Sequence, residues 1–336
     1  MASPLHGWSS PTAAAACSPT SRKAAHWLTA PAPSLLPPPP PDLCAALVEE
    51  ATTRGIPIIR GKRLVNIDDT GNHVRAHFTD GTTAEGDVLV GADGIRSVVR
   101  TLIDPTAPRP RYVGFLNTAG YARGLNLGIE PGVNHLVFGK RCFFGYVGHP
   151  NGDVWWFANP PRREEPDPAE LAAVPADVWR AQLRELFRDD DVPALAAIDN
   201  TEQITTGWVT YDMPSVPAWH RGRTVLVGDA AHAVSPSAGQ GASLAIEDAV
   251  VLGRALRDQS DPAAAFGTFE AARRPRVEQI VTQGRRNGSG KTAGPIGRVL
   301  RDATMPLAMK AMFRGDRDPF RWIWDHRTDW DETATT

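Results

Sequence analysis

One stretch near the middle of the chain, residues 224–256, constrains the fold more than any other. It begins with a short β-branched and leucine run, residues 224–227, which is typical of a buried strand. Gly228 and Asp229 follow at the carboxyl end of that strand. A Ser-Pro-Ser turn and a glycine-rich segment then lead into a helix with a regular apolar face. This order of strand, acidic loop, turn and helix predicts an α/β fold.

The residues that follow the strand suit a ligand site. Ligands of open α/β sheets lie outside the carboxyl ends of the strands, where the Asp229 carboxylate can accept hydrogen bonds from sugar or polyol hydroxyls. Gly239 and Gly241 allow a ligand to approach the backbone closely, and the helix offers unpaired N–H groups and the positive end of its dipole. A lone Gly-Asp pair would favour a plain strand–helix connection. Here Pro236 and Asp248 lie in the same strand–turn–helix segment, and the combination favours a ligand site.

The pattern G-D-A-A-H-x3-P-x2-G-Q-G-A-S-L-A-I-E-D-A resembles the second flavin-binding motif of the FAD-dependent aromatic-ring hydroxylases, the flavoprotein monooxygenases similar to p-hydroxybenzoate and salicylate hydroxylases. The resemblance implies that Asp229 holds the ribityl chain of FAD and that Pro236 lies beside the isoalloxazine ring. It also implies that the glycine-rich helix start faces the pyrimidine edge of that ring. Ser243 stands where family members often have asparagine, which leaves the backbone role unchanged. The FAD-binding residues implied by this motif are Gly228, Asp229, Pro236, Gly239, Gln240, Gly241 and Ala242.

A second motif, G-A-D-G-I-R-S-V-V-R, follows a predicted strand earlier in the chain. Alone, an Ala-Asp-Gly segment is a common turn. In this spacing it resembles the Asp-Gly motif of the same family, which is associated with both FAD and the nicotinamide cofactor. The resemblance therefore implies NAD(P)H as a co-substrate and adds four cofactor-binding residues, Asp93, Gly94, Ser97 and Arg100.

Composition excludes several classes of partner and location. The chain has 336 residues and a formal net charge of −2, whereas a nucleic-acid partner would favour a basic stripe. The chain has no run of about 18 apolar residues, so no membrane-spanning helix is predicted. Cys17, Cys44 and Cys142 are too scattered for a metal site or a disulfide framework. A reducing, cytoplasmic location is therefore expected.

Residues 1–41 differ from the rest of the chain. They contain no aspartate or glutamate and end in five prolines, so we predict a disordered or aberrant N-terminal segment. The helix predicted from Asp42 resembles the middle of a family domain, where an arginine two residues earlier contacts the flavin, but Pro40 stands at that position. The chain has no G-x-G-x-x-G motif after a strand. We therefore expect residues 1–41 to replace a lost βαβ unit, through a wrong start or reading frame, and the chain in this form to bind FAD poorly.

The fold that the sequence predicts is α/β. It is an FAD-binding domain similar to p-hydroxybenzoate hydroxylase that lacks its first βαβ unit and carries an inserted antiparallel β-sheet substrate domain. The FAD-binding domain is predicted at 42–105 and again at 212–283, with the substrate domain inserted at 106–211 and a C-terminal helical closure at 284–336. Strands are predicted at 56–59, 63–68, 73–79, 87–90, 112–118, 135–138, 142–147 and 154–158. Helices are predicted at 42–53, 179–187, 262–283 and 305–313, besides the one that opens at Gly241.

The predicted substrate domain is rich in aromatic side chains. In the family that the chain resembles, the inserted sheet covers the flavin and forms one wall of the substrate pocket. The candidates for an aromatic-binding cavity are Phe143, Phe144, Tyr146, Trp155, Trp156 and Phe157. Because side chains alternate between the two faces of a strand, only one of Trp155 and Trp156 is expected to face a pocket, and alternate candidates belong to the core of the sheet.

Three further features favour structural roles. His232 lies behind a cofactor loop, where a histidine is more often structural than a general base. Residues 288–292 imitate a phosphate-binding loop, but they lack the first glycine of that motif and a preceding strand. The basic run of Arg273, Arg274 and Arg276 predicts a solvated helix face.

These observations favour an FAD-dependent monooxygenase that hydroxylates a small aromatic or heteroaromatic molecule with NAD(P)H and O2. The sequence contains no nucleophile–base pair or metal cluster that would indicate another class of enzyme, and it identifies no catalytic residue. Three alternatives stay open: a truncated and inactive remnant of such an enzyme, a flavin oxidase or reductase on the same fold, and a binding protein without redox chemistry.

Overall fold

The computed structural model describes residues 27–31, 40–289, 291, 294–312 and 320–333. Its strands in chain order are β1 Trp27–Pro31, β2 Leu64–Asp69, β3 Val74–Phe78, β4 Thr83–Gly86, β5 Leu89–Gly91, β6 Arg111–Ala122, β7 Val133–Phe138, β8 Phe143–Gly148, β9 Val154–Asn159, β10 Thr205–Asp212, β11 His220–Arg221 and β12 Thr224–Leu226. Its helices are α1 Pro40–Thr53, α2 Val98–Ile103, α3 Pro168–Ala172, α4 Ala176–Phe187, α5 Ala194–Asp199, α6 Asp229–His232, α7 Gly241–Asp258, α8 Pro262–Ser289, α9 Pro295–Met312 and α10 Arg321–Trp324. A 3-10 turn, Pro236–Ala238, precedes α7.

Antiparallel pairing dominates the largest sheet, which has the strand order β1-β7-β8-β9-β6-β10 among the described residues. The four strands predicted between residues 112 and 158 are confirmed as β6 to β9, and the Asn151-Gly152 turn joins β8 to β9 with Gly152 at a φ of +86°. One face of the sheet packs against α4 through Trp179, Leu183 and Phe187. The sequence did not predict β10, because two register shifts interrupt its regular pairing with β6.

A strand from the N-terminal segment completes this sheet. β1 pairs with β7 in antiparallel register, with Trp27 opposite Val137 and Pro31 opposite Val133. The prediction of a disordered segment at 1–41 is therefore wrong for these five residues, and also for Pro40 and Pro41, which begin α1. The backbone groups of β1 pair with the edge that β7 presents, which satisfies hydrogen-bonding groups on both strands. Residues 1–26 and 32–39 lie outside the described residues, so the rest of that prediction stays a prediction.

Two smaller sheets surround the predicted motifs. β2, β3 and β4 form an antiparallel meander, with the Asp80-Gly81 turn between β3 and β4. β5 and β12 run parallel, and β11 pairs with the other side of β12. The long helices α7 and α8 pack together beside this parallel sheet, with Leu244, Leu252 and Phe269 in their shared core.

Two element predictions are wrong. Residues 56–59 form no strand: Pro57 has no N–H to donate, and Ile59 is 72% exposed, so this run has neither a ladder nor a buried face. The C-terminal helix begins at Pro295 rather than near residue 305, so Pro306 lies inside α9 and not in its first turn. Helix α8 also continues past Gln283 to Ser289.

The α/β architecture with an inserted antiparallel sheet is confirmed. Absence of a first βαβ unit and the division at 42–105, 106–211, 212–283 and 284–336 stay predictions. Among the described residues, no helix combines the length and the apolar character that crossing a membrane would require.

Candidate functional site

The two predicted motifs meet at one edge of the parallel sheet. β5 and β12 lie side by side, with Leu89 opposite Thr224 and Gly91 opposite Leu226. The Val227 amide donates to the Gly91 carbonyl at 3.1 Å, which continues the pairing past the strand ends. Because the carboxyl ends of parallel strands share one edge, the Asp-Gly loop after β5 and the Gly-Asp loop after β12 are neighbours.

Arg100 links these two loops directly. Its guanidinium donates from Nη1 to the Ala230 carbonyl at 2.8 Å and from Nη2 to the Ile95 carbonyl at 2.7 Å. The side chain is buried, and burial lowers the pKa of Arg100 while the nearby Asp93 carboxylate opposes that shift. In the described contacts Arg100 is therefore a cross-link that fixes the separation of the loops.

Asp93 and Ser97 are engaged in capping α2. The Asp93 carboxylate accepts hydrogen bonds from Ser97 Oγ at 2.5 Å and from the amides of Val98 and Val99 at 2.7 and 3.1 Å. Ser97 is the N-cap residue and accepts from the Arg100 amide at 2.9 Å. What this loop offers to a ligand is thus its backbone at Gly94, where φ is +77° and an added Cβ would meet no atom within 4 Å.

Asp229 presents a free carboxylate at the same edge. It is the first residue of α6, its side chain is exposed, and it forms no hydrogen bond or ion pair with any residue that the structure describes. Partial enclosure by the surrounding loop raises the pKa of Asp229, and nearby His232 opposes that shift. A carboxylate held at a strand end without a protein partner is available to accept hydrogen bonds from ligand hydroxyls.

The loop before Asp229 is held in place by a buried aspartate. Asp248 on α7 accepts from the Gly228 amide at 2.8 Å, from His232 Nε2 at 2.6 Å and from Arg273 Nε at 2.8 Å. Burial alone would raise the pKa of Asp248, but the hydrogen bonds from His232, Arg273 and the Gly228 amide together lower it. The structural role expected for His232 agrees with this geometry, because its ring is buried behind the loop and is held by Asp248.

Arg273 corrects the prediction of a solvated basic face. Its side chain is only 2% exposed and donates to Asp248 and, at 2.5 Å, to Glu247. Arg276 also pairs with Glu247 at 2.9 Å. The prediction fails because α8 packs directly on α7, so this side of the basic run meets two carboxylates of the motif helix. The sequence offered one usable signal, the Glu247-Asp248 pair inside the motif, since two buried acids require cationic partners.

The turn before α7 leaves backbone open to a ligand. Gly239 has a φ of +64°, and a Cβ added there would meet no atom within 4 Å. Gln240 is the N-cap residue of α7 and makes no side-chain cap hydrogen bond. The next residues, Ala242 and Ser243, are exposed, so the first amides of this 18-residue helix are accessible. The predicted ring-facing segment therefore has the open backbone that its role requires.

The helix start also packs close to the Gly-Asp loop. Gly228 has a φ of +56°, and a Cβ added there would lie 3.2 Å from the Ala245 Cβ in α7. Gly241 approaches Val234 in the same way, at 3.8 Å. Asp229 and the first turn of α7 are thus parts of one surface. Pro236 lies in the turn between them and is exposed.

The six aromatic candidates divide between the two faces of the large sheet. Phe144, Tyr146 and Trp156 are buried in the core beneath α4 and α5, and Trp156 Nε1 donates to Thr201 Oγ1 at 2.8 Å. These three are therefore sheet core rather than cavity lining. Phe143, Trp155 and Phe157 occupy alternate positions on the opposite face, with the Phe143 and Phe157 ring centroids 5.9 Å apart. The alternation expected for Trp155 and Trp156 matches this arrangement.

This second face adjoins the turn of the Gly-Asp motif. The last turns of α8 run between them: a Cβ added to Gly288 would lie 3.5 Å from Ser237 Oγ and 3.9 Å from the ring of Phe115 on β6. Asn287 also donates to the Ser237 carbonyl at 3.3 Å. We name the cluster of Phe115, Phe143 and Phe157 the aromatic face; Phe115 and Phe143 are fully buried in it, and Phe157 is partly exposed.

A small cavity lies next to His232. It has a volume of about 140 Å³ and is lined by the segment from Met213 to Trp219, by His232 and by the middle of α8. Neither motif carboxylate and none of the six aromatic candidates lines it. The open edge next to Asp229 is a better ligand site on chemical grounds, because it combines a free carboxylate with accessible helix amides.

Comparison with known proteins identifies a matching family and several relatives. A sequence model of the family described as FAD binding domain matches residues 9–284. FAD-dependent urate hydroxylase of Klebsiella pneumoniae is 35% identical over 232 residues, which are 67% of this chain and 58% of that protein. Salicylate hydroxylase of Pseudomonas putida is 30% identical over 297 residues, covering 81% of this chain and 65% of that protein.

Solved structures share the fold. The crystal structure of Klebsiella pneumoniae HpxO complexed with FAD and uric acid has a TM-score of 0.68 at 26% identity and covers 85% of this chain and 69% of that one. The chain spans 58% of the length of the urate hydroxylase that it matches. The resemblance inferred from the two motifs is confirmed, and the chain belongs to the FAD-binding-domain family of flavin-dependent monooxygenases.

Proposed function

We propose that this chain is an FAD-dependent monooxygenase that hydroxylates a small aromatic or heteroaromatic molecule with NAD(P)H and O2. One observation carries the proposal. The Asp229 carboxylate has no partner among the described residues and lies on one surface with the uncapped start of α7. A ligand that joins a hydroxyl-bearing side chain to a ring with an electron-rich edge complements such a surface.

The residues at this edge fit FAD. Asp229 would accept hydrogen bonds from the ribityl hydroxyls, and the amides of Gly241 and Ala242 would face the pyrimidine edge of the ring. Gly239 leaves open space beside the backbone, where any larger residue would place a side chain. Asp93, Ser97 and Arg100 support the site indirectly, since their side chains hold α2 and the two loops together.

When bound, FAD would supply the redox chemistry with NAD(P)H and O2. The role of the protein chain is to bind and orient the flavin and the substrate. Asp248, His232 and Arg273 fix the Gly228 amide and hence the position of Asp229. Trp155 and Phe157 are the partly exposed rings on the outer face of the large sheet, and they are the candidates to contact a flat substrate.

The substrate class follows the names of the relatives. Two of these relatives are named as hydroxylases of urate and of salicylate, which are both small, flat and acidic molecules. The chain spans only a portion of the length of these proteins, so the aromatic substrate, the use of NADH or NADPH, and O2 are proposals that rest on family membership and on the site.

A turnover assay with three readouts separates the proposed function from its alternatives. Purified protein is mixed with FAD, and NAD(P)H oxidation is followed with and without urate or salicylate, while products are identified by mass spectrometry. A hydroxylated product coupled to NAD(P)H oxidation supports the proposal. Oxidation without a hydroxylated product indicates an oxidase or reductase. Flavin binding without oxidation indicates a binding protein, and failure to bind flavin indicates an inactive remnant.

A paired glycine substitution tests the open backbone at the turn. Gly239 and Gly81 both have positive φ values, +64° and +80°, and an added Cβ meets no atom within 4 Å at either. Gly239→Ala and Gly81→Ala should each lower stability by about 1 kcal/mol, because each forces a left-handed backbone on an L-residue. Only Gly239→Ala should weaken FAD binding, as measured by flavin titration, since Gly81 lies in the β3–β4 turn. Equal FAD affinity in the two variants would remove Gly239 from the site.

A further inference from the structure

The C-terminal residues 320–333 contact both long helices, α7 and α8, and we name them the C-terminal strap. Near the start of the strap, Ile323 is 7% exposed and the neighbouring Trp322 side chain packs against the core that α7 and α8 share. Near its end, the Trp330 ring packs on α7, where a Cβ added to Gly253 would lie 3.2 Å from that ring. The strap is therefore docked on the helix pair at both ends.

Arginines of the two helices hold the backbone of the strap. On α7, Arg257 donates to the Trp330 carbonyl at 2.5 Å, and its guanidinium carbon lies 4.9 Å from the centroid of the Trp330 ring. On α8, Arg276 donates to the carbonyls of Trp322 and Ile323 at 3.0 and 3.1 Å. Because charged donors are strong hydrogen-bonding partners, these contacts fix the position of the strap on the helices.

The same Arg276 guanidinium also binds the helix of the Gly-Asp motif. It donates from Nε and Nη2 to the two carboxylate oxygens of Glu247 on α7, both at 2.9 Å, which makes a bidentate pair. Glu247 also accepts from Arg273 at 2.5 Å. Burial would raise the pKa of Glu247, but Arg276 and Arg273 lower it, so the carboxylate is ionised near pH 7.

A continuous series of hydrogen bonds thus joins the strap to the Gly-Asp loop. Arg273 donates to Asp248 at 2.8 Å, and Asp248 accepts from the Gly228 amide at 2.8 Å, next to Asp229. Every charged side chain of the series is at most 15% exposed. Because removing one member of a buried charged network leaves its neighbours incompletely paired, the members of such a network favour order in one another.

We propose that Arg276 and Glu247 are positioning residues, through which docking of the C-terminal strap is coupled to the order of the Gly-Asp loop and to FAD binding at Asp229. The strap is the element with two states, docked and released. In the docked state it fixes Arg276, and the bidentate pair then holds Glu247 against Arg273. By linkage, FAD binding favours the docked strap to the same extent. The inference rests on the proposed function only in naming FAD as the ligand.

Two neighbouring strap residues provide a matched pair of variants. Ile323 is 7% exposed and Trp324 is 60% exposed. Ile323→Asp therefore places a carboxylate in a buried site unless the strap releases, whereas Trp324→Asp places the same charge in solvent. Hydrogen exchange followed by mass spectrometry, without FAD, should be about fivefold faster or more in the strap and in residues 226–234 for Ile323→Asp only. Exchange in the β2–β4 meander should stay at the wild-type rate in both variants, which excludes a general loss of stability.

A variant of the connecting residue tests the path itself. Arg276→Gln interrupts the hydrogen-bonded series without changing any side chain of the strap, and it should also raise exchange both in the strap and in residues 226–234. If Ile323→Asp does not fold or loosens the meander, Trp330→Ala replaces it, because this change removes the ring packed on Gly253 and keeps the arginine bonds to the strap backbone. The direction of its effects should be the same.

FAD provides a readout that a purely structural role of the strap would not produce. Flavin titration should give a Kd roughly fivefold or more larger for Ile323→Asp than for wild type and Trp324→Asp, at the lower end of typical coupling energies. Reciprocally, saturating FAD should slow exchange of the strap amides in wild type, although none of the residues described at the edge beside β5 and β12 belongs to the strap.

Three results would overturn the inference. The first is wild-type exchange at residues 226–234 in Arg276→Gln, or in a strap variant whose strap exchanges faster. The second is wild-type exchange of the strap in both Ile323→Asp and Trp330→Ala. The third is FAD affinity equal to that of wild type in a variant whose strap is released. Exchange without FAD tests the link to the loop by itself, so failure of the proposed function would appear separately, as absence of saturable FAD binding by wild type.

Discussion

Replacing Asp248 with alanine should lower the free energy of unfolding by about 3–5 kcal/mol, the range found when one partner of a buried ion pair is removed. Asp248 is fully buried and accepts hydrogen bonds from Arg273, His232 and the Gly228 amide. The substitution would leave the Arg273 guanidinium with Glu247 as its remaining carboxylate partner and would leave the Gly228 amide without an acceptor. The Gly228 amide and one edge of the Arg273 guanidinium are buried polar groups, and their desolvation would no longer be fully offset.

Urea denaturation followed by circular dichroism measures this effect. A matched control is Glu85→Ala, which removes the carboxylate of an ion pair with Arg75 that is about half exposed on both sides. Exposed pairs contribute roughly 0–1 kcal/mol, so the control should have a free energy of unfolding close to that of wild type. If Asp248→Ala and Glu85→Ala lose similar amounts of stability, the Asp248 network does not hold the loop as described.

The meeting of the two motif loops at one edge of the parallel sheet could be predicted from the sequence because it depends on chain order. A buried strand followed by Gly228 and Asp229 and then by a glycine-rich helix start leaves one arrangement in a parallel sheet, with the acid at the strand end. The Asp93 loop ends at the same edge, since β5 pairs with β12. The local sequence pattern and the strand order predict the same arrangement of the two loops, and the structure has that arrangement.

The partners of the charged residues could not be predicted in the same way. The run of Arg273, Arg274 and Arg276 has the local pattern of an exposed helix face, and only the packing of α8 on α7 turns Arg273 inward. Asp93 likewise has the spacing of a ligand residue, yet its oxygens accept from the start of α2. Packing between helices that are distant in sequence decides the partners of Arg273, whereas Asp93 is engaged by local contacts with Ser97 and Val98, four and five residues later.

Edge pairing and exposure explain two further differences between the predicted and the observed strands. β1 has an apolar, strand-like sequence between segments rich in proline and serine, so composition hides it, and its partner β7 lies about a hundred residues away. Residues 56–59 have strand-like composition, but they have no partner strand in the described part of the chain and remain exposed. A strand requires a partner, and the sequence of one segment does not contain that information.

The second large effect concerns Asp229. Replacing it with alanine should weaken FAD binding by about 1–3 kcal/mol, the contribution of hydrogen bonds to a charged group, or roughly 5- to 150-fold in Kd. Stability should change little, because the carboxylate makes no hydrogen bond or ion pair with the described residues. Asp229→Asn should lie between wild type and alanine, since the amide keeps one acceptor oxygen but no charge.

A control at the other end of the same sheet separates this effect from a general change in charge. Asp87 is exposed and lies just before β5, at the amino end of that strand. Asp87→Ala removes the same charge from the same sheet and should leave the FAD affinity within about twofold of wild type, because the amino ends of parallel strands lie away from the ligand edge.

Flavin titration of wild type, Asp229→Ala and Asp87→Ala is the most direct test of the central claim, that the edge beside β5 and β12 is the flavin site. Flavin fluorescence is followed up to high FAD concentration, because the sequence predicts weak binding. We expect saturable binding in wild type and Asp87→Ala and a roughly 5- to 150-fold larger Kd in Asp229→Ala, as estimated from the energy of charged hydrogen bonds. Equal FAD affinity in all three proteins, or no binding by wild type, would contradict the claim.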